Sequence, residues 1–175
     1  MRYLLDSNIF IQSANLEYRH RFCANFWKLL VELHHQGLVY SIQAVEKEIN
    51  NKKDDLSAWI AQLPQGFFLD ELQAQLEYAN IIGWSVGEAQ YTDAAKNEFA
   101  QGNKADAWLV ALAKREGMGI ITHETYDPNI KKRIKIPNAC RAAGVTVVPF
   151  YPFLASIAQG NFDINHNGVT DHLQQ

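Results

Sequence analysis

The sequence predicts an α/β protein of three layers, α/β/α, with helices on both faces of a central parallel sheet. Three observations carry that expectation. Short apolar runs alternate with segments of helical period along the chain. Two of the runs lead into acids at their carboxyl ends: Tyr3-Leu4-Leu5 stops at Asp6, and Ile120-Ile121-Thr122 runs on to Glu124. The chain has 175 residues, 47% of them hydrophobic and 20% charged. That suits one globular domain able to bury roughly 70% of its unfolded surface.

In order, Tyr3-Leu4-Leu5 reads as a buried strand and residues 9–14 as the start of a helix. Phe22, Phe26, Leu29, Leu30 and Leu33 recur at helical spacing, so a helix is expected over 21–33. Gly37 stops it, Leu38-Val39-Tyr40-Ser41-Ile42 reads as a second strand, and 44–49 resumes helix with Glu46 and Glu48. Asp54 or Asp55 caps the next helix, which carries Leu56, Trp59, Ile60 and Leu63. After Pro64-Gln65-Gly66 comes a small strand, Phe67-Phe68-Leu69, then helices over 72–86, 93–99 and 104–115. Residues 118–122 and 145–148 read as strands, each preceded by glycine. No repeat or long linker divides the chain, so 1–159 is one domain and 160–175 a polar tail.

Composition narrows the class of function. The net charge is -3, so nucleic-acid binding does not follow from overall charge, and any phosphate-binding surface must be local or supplied by bound cations. Cys23 and Cys140 have no paired spacing, which argues against a zinc ribbon or disulfide framework and suits a reducing compartment. The first residues lack the pattern of a signal peptide, and no apolar stretch approaches the roughly 20 residues that span a bilayer. The expectation is a cytoplasmic protein with no membrane association.

Four acids stand out by position. Asp6 ends the first strand, Glu48 lies in the helix after the second, Asp106 begins a helix in Ala105-Asp106-Ala107-Trp108-Leu109-Val110-Ala111, and Glu124 follows the strand ending at Thr122. Ligands of open parallel sheets bind beyond the carboxyl ends of the strands, where strand order reverses. Carboxylates crowded there repel unless a cation neutralises them or some hold protons. Hard oxygen donors favour magnesium or manganese and suit metal-assisted phosphodiester hydrolysis. Each acid also has a plainer reading: Asp6 as a helix cap, Glu48 as a solvated helix charge, Asp106 as a charge at a helix N-terminus, and Glu124 as a loop acid.

Leu4-Leu5-Asp6-Ser7-Asn8, Val45-Glu46-Lys47-Glu48-Ile49, the Ala105–Ala113 stretch and Ile121-Thr122-His123-Glu124 resemble, in order, the acidic motifs of PIN-domain proteins. The resemblance covers about residues 1–155. Asp55-Leu56-Ser57-Ala58-Trp59 and Lys135-Ile136-Pro137-Asn138-Ala139-Cys140 look like a longer bacterial subfamily of unsettled function. What the resemblance implies is a magnesium- or manganese-dependent ribonuclease. Many bacterial members are the toxins of toxin–antitoxin pairs, so an antitoxin and a second copy of the chain join RNA as candidate partners. Carried onto this chain, Asp6, Glu48, Asp106 and Glu124 form the catalytic, metal-binding set, with Asn8 and Thr122 as supporting polar groups. The fourth acid is often Asp in the family; Glu124 is one methylene longer, and Asp127 is the alternative.

Lys131-Lys132-Arg133 with Lys135 is the one dense basic run, read either as an RNA-backbone contact or as a solvated helix face. The histidines lack metalloprotease spacing, and His123 reads as a sheet or loop residue rather than a base. There is no P-loop, and the four tryptophans read as core. Asp163-Ile164-Asn165-His166-Asn167-Gly168 mimics the start of a calcium loop, but position twelve is Gln174, so a polar tail is the simpler reading.

The leading expectation is an endoribonuclease in which metal-activated water attacks phosphorus in line. The rival is a catalytically silent PIN-like module that binds RNA or a protein. Carboxylate geometry separates them: four carboxyl groups converging within metal reach favour the enzyme, and a splayed set or one filled by a lysine favours the module.

Overall fold

The structure is a computed structural model that describes residues 1–164. Its centre is a five-stranded, all-parallel sheet of β1 (Tyr3–Leu5), β2 (Val39–Ile42), β3 (Phe68–Leu69), β4 (Gly119–Thr122) and β5 (Val147–Pro149), in the order β3-β2-β1-β4-β5. The two inner strands β1 and β4 are buried at every residue. Strands covered on both faces need unbroken apolar runs rather than alternation, and that is how these two read. The edge strands β3 and β5 have no fully buried residue.

Tyr3 pairs with Val39 on one side and with Gly119 on the other. The chain therefore runs outward from β1 through β2 to β3, then returns to add β4 and β5 on the opposite side. Strand order reverses between β1 and β4. Their ends are fixed by backbone as well as packing: Asp6 N–H donates to Ile121 O at 3.1 Å, and Ser41 Oγ donates to Leu5 O at 2.7 Å.

Nine helices flank the sheet among the described residues: α1 (Ser7–Asn15), α2 (Ala24–His35), α3 (Gln43–Asn50), α4 (Asp55–Ile60), α5 (Gln75–Gly87), α6 (Asp93–Phe99), α7 (Ala105–Glu116), α8 (Ile136–Ala143) and α9 (Phe150–Ile157). The central one is α7. It lies on β1, β2 and β4 with α5 and α8 beside it, and Ala107 to Ala113 are all buried. A helix apolar all round belongs in an interior, and its alanines allow close approach. Gly117, at φ 62°, ends it in the left-handed conformation that favours glycine. Helices α2 and α9 cover the sheet through β2 and through β4 and β5. The result is the three-layer α/β/α fold the sequence predicts.

Asp54, not Asp55, caps α4; its carboxylate accepts from Leu56 and Ser57 N–H in a capping box. The helix expected from residue 21 begins at Ala24, and that expected from 72 begins as a 3-10 turn, Glu71–Ala74. Helices α8 and α9 were not expected. Each carries a proline, Pro137 or Pro152, within its first turn, where the absent N–H costs no intrahelical bond. The basic run lies in a loop before α8 rather than on a helix face.

After α9 the chain turns back in a short antiparallel hairpin, β6 (Ala158–Gln159) with β7 (Asp163–Ile164). The Phe162 ring sits 5.3 Å from Tyr18 and 5.7 Å from Phe26. The beginning of the expected tail thus packs on the domain, and the calcium-loop-like stretch after Ile164 lies outside the described residues. No helix among the described residues is long and apolar enough to cross a membrane.

Candidate functional site

The reversal between β1 and β4 is where the fold leaves a crevice, and the acids gather there. Asp6 is the residue before α1, yet its side chain caps nothing. It is 2% exposed. Its Oδ2 accepts from Thr122 Oγ at 2.8 Å and its Oδ1 from Ser7 Oγ at 3.4 Å. Both partners are neutral hydroxyls, so no cation touches this buried carboxylate.

Thr122 is fully used. Besides donating to Asp6, its hydroxyl accepts from Asn8 Nδ2 and from Glu124 N–H, each at 3.0 Å. Asn8 Oδ1 in turn accepts from His123 N–H at 3.2 Å. These bonds bind the start of α1 to the end of β4, so the two expected supporting residues set the position of two expected acids. The His123 ring faces away, packing against Phe150 and Tyr151, and burial lowers its pKa.

Asp106 stands in the first turn of α7. Glu48, near the end of α3, reaches that same terminus: its Oε1 accepts from Ala105 N–H at 3.1 Å. Glu48 is therefore not a free surface charge but a cap supplied from another helix. Glu124 Oε2 accepts from Ile136 N–H at 2.8 Å, the equivalent service at α8. Two of the four acids thus hold helix N-termini, where negative charge is favoured.

The charges feel one another. Burial, then the charges of Asp106 and Glu124, push the Asp6 carboxyl up to about 7, against the pull of its Thr122 bond. Burial, then Glu124, push Asp106 up to about 6, with Arg133 opposing and Glu48 adding to the rise. Behind the site, burial and the charges of Asp6 and Glu124 drive the Cys140 thiol far up, which makes it inert as a nucleophile.

Sequence reasoning placed Arg133 with the RNA-contacting cations, and the structure turns it inward. One guanidinium nitrogen, Nη2, lies 2.8 Å from Glu124 Oε1 and 3.6 Å from Asp106 Oδ2. Partial burial works against this charge, but Glu124 and Asp106 outweigh it and hold the guanidinium above its ordinary pKa. Lys131 and Lys132 are exposed, whereas Lys135 Nζ donates to Thr125 O at 3.3 Å. Asp127, the alternative fourth acid, is occupied in its loop: its carboxylate accepts from Asn129 N–H at 2.9 Å, and its backbone N–H and carbonyl bond to the Asn138 side-chain amide.

Glu48, Asp106 and Arg133 line a cavity of about 350 Å³ together with Ser7, Asn51 and Lys104. Asn51 and Lys104 were not singled out in the sequence. For Lys104 a signal existed, since it stands two residues before Asp106.

Among the described residues no three carboxylate, imidazole or thiol groups are placed to share one metal ion. The donors nevertheless fit a hard divalent cation in kind. They are all oxygens, and buried Asp6 lacks any countercharge in contact. Arg133 lies where Asp106 and Glu124 come nearest to a common cation.

The family model described as "Domain of unknown function (DUF4411)" matches residues 3–159, and the chain belongs to that family. No curated protein matches the chain, and no solved structure does.

Proposed function

We propose that this chain, as a member of the DUF4411 family, is a metal-dependent endoribonuclease acting at the β1–β4 crevice. The observation that carries the reading is geometric: Asp106 and Glu124 meet at one guanidinium beside Asp6, which is buried with only hydroxyl partners. Acids drawn from distant parts of the chain crowd at the strand-order reversal until two of them are pushed up to about 7 and about 6. Strongly perturbed acids in a cleft mark functional sites more often than ordinary surface. A structural role alone would favour a neutral amide at position 6, which could keep the Thr122 bond without the repulsion.

In this reading Asp106 and Glu124, the two acids that one cation already bridges, would hold magnesium or manganese with buried Asp6 beside them, and Glu48 fixes the first turn of α7 that carries Asp106. A metal held there would lower the pKa of a bound water, making it a nucleophile near neutral pH, and would offset charge on the phosphodiester. Thr122 and Asn8 orient the acids, and Lys104 faces the approaching backbone from the cavity wall. RNA is the proposed substrate, on the motif resemblance and the hard-oxygen donor set.

The silent-module reading has one observation on its side. Arg133 already satisfies two of the acids, an arginine standing where a lysine was expected in such a module. The experiment that decides is cleavage of single-stranded, hairpin and duplex RNA by the purified chain, in manganese and in chelator. The enzyme reading expects metal-dependent cleavage that Asp106→Asn removes without lowering thermal stability. Cleavage by neither protein would favour the module, and near wild-type cleavage by Asp106→Asn at saturating manganese would overturn the catalytic assignment.

A further inference from the structure

We infer that Arg133 is a two-position residue: it holds the Asp106 and Glu124 carboxylates in the absence of a divalent cation, and turns to the substrate phosphodiester when a cation occupies those acids. The inference rests on the metal-dependent nuclease reading and adds a phosphate-binding residue to that site.

The geometry comes first. A single nitrogen, Nη2, makes both carboxylate contacts, at 2.8 and 3.6 Å. Nε and Nη1 have no hydrogen-bond partner among the described residues, although a guanidinium offers five N–H donors in a planar fork. The side chain is 53% exposed and lines the cavity that also holds Ser7, Glu48, Asp106 and Lys104. It is half engaged with the acids and half open to whatever enters.

The backbone around it is fixed. Lys131 O accepts from Thr92 N–H at 2.9 Å, Ile130 O accepts from Gln90 Nε2 at 2.8 Å, and Ile134 is 1% exposed. With the chain anchored on both sides, movement belongs to the Arg133 side chain and not to the loop. A swing about its own torsions carries the head across the cavity without unfolding anything.

Charge completes the argument. Three mutually repelling carboxylates share one guanidinium, so a doubly charged ion at Asp106 and Glu124 removes the reason for the arginine to stay. The strongest remaining acceptor in that cavity would be a phosphate oxygen of bound RNA, which the guanidinium fork fits in bidentate fashion.

The test pairs two measurements on the full chain. Manganese binding by calorimetry, with the metal alone, is compared between wild type and Arg133→Gln, with Arg133→Lys as a second variant that keeps the charge. A fluorescein-labelled single-stranded RNA is then titrated against the same proteins in chelator and in calcium. We expect manganese to bind Arg133→Gln tighter by about two- to fivefold, the scale of losing a half-exposed competing ion pair, with Arg133→Lys between the two. RNA affinity should fall in Arg133→Gln by several-fold in calcium and hardly at all in chelator. Equal manganese affinity in all three proteins, or an RNA loss equal in both buffers, overturns the inference and leaves the nuclease reading standing. Absence of manganese binding from every protein, wild type included, overturns both.

Discussion

Thr122 Oγ donates to Asp6 Oδ2 at 2.8 Å and so ties together the carboxyl ends of the two central strands, across 116 residues of sequence. The same hydroxyl accepts from Asn8 and from Glu124 N–H. Replacing it with the isosteric Thr122→Val removes three bonds at one stroke and leaves Asp6 still less compensated. A loss of about 1–3 kcal/mol is expected, the cost of stranding buried polar groups. Urea unfolding measures it. A change under 0.5 kcal/mol, on the scale of ordinary surface substitutions, would mean that the hydroxyl does not organise the site.

The raised Asp6 carboxyl has a consequence for stability without metal. Its folded-state value of about 7 lies above the ordinary 3.8, so the folded chain binds this proton more tightly than the unfolded one. Its contribution is fully present below pH 4 and is lost as pH rises through 7. For an isolated group the loss would be about 4 kcal/mol at most. Asp6→Asn should therefore unfold at higher temperature than wild type at pH 8 in chelator, with a flatter decline between pH 4 and 8. Parallel profiles for the two proteins would show that Asp6 is not held in the perturbed state.

Lys131 and Lys132 are exposed cations of the loop that carries Arg133, whose own charge is engaged with the acids. If they contact RNA backbone, Lys131→Ala with Lys132→Ala should weaken binding to many sequences alike. The log–log salt slope should flatten by about 0.7 per lost phosphate contact. Manganese affinity should stay unchanged, since the acids supply those ligands. Fluorescence anisotropy at several salt concentrations, in calcium, reads both binding terms. An unaltered slope would assign the two lysines to plain solvated surface.

A fourth prediction concerns the sheet. A Cβ added at Gly119 would lie 2.8 Å from the Tyr3 ring, on the neighbouring strand, and that ring is itself wedged 5.4 Å from Phe153. Gly119→Ala should cost about 1–3 kcal/mol by overpacking. Gly102→Ala, with open space at its Cβ, should cost far less. Equal midpoints for the two variants in a thermal melt would contradict the packing of β1 against β4.

Much of this was readable in the chain. Strands buried on both faces appear as bare apolar runs, and β1 and β4 end within two residues of the acids they position, so sheet and crevice followed together. Helices α8 and α9 were not expected; Pro137 and Pro152 stand in their first turns, where proline breaks no intrahelical bond. The inward turn of Arg133 was hidden as well. A run of three cations looks the same whether its members face solvent or not, and only the folded position of Asp106 and Glu124 decides. Glu48 was picked out as an acid, but its bond to Ala105 N–H depends on the packing of α3 beside α7, which no local pattern encodes.

The long reach of the Thr122–Asp6 bond also sets a timetable. Asp6 is made 116 residues before Thr122, so its strand gains its β4 neighbour, and its side chain its hydroxyl partner, only after residue 122 has emerged; Arg133 comes later still. At about 5–20 residues per second that interval is on the order of ten seconds. The crevice between β1 and β4 therefore has no assembled set of acids during that interval.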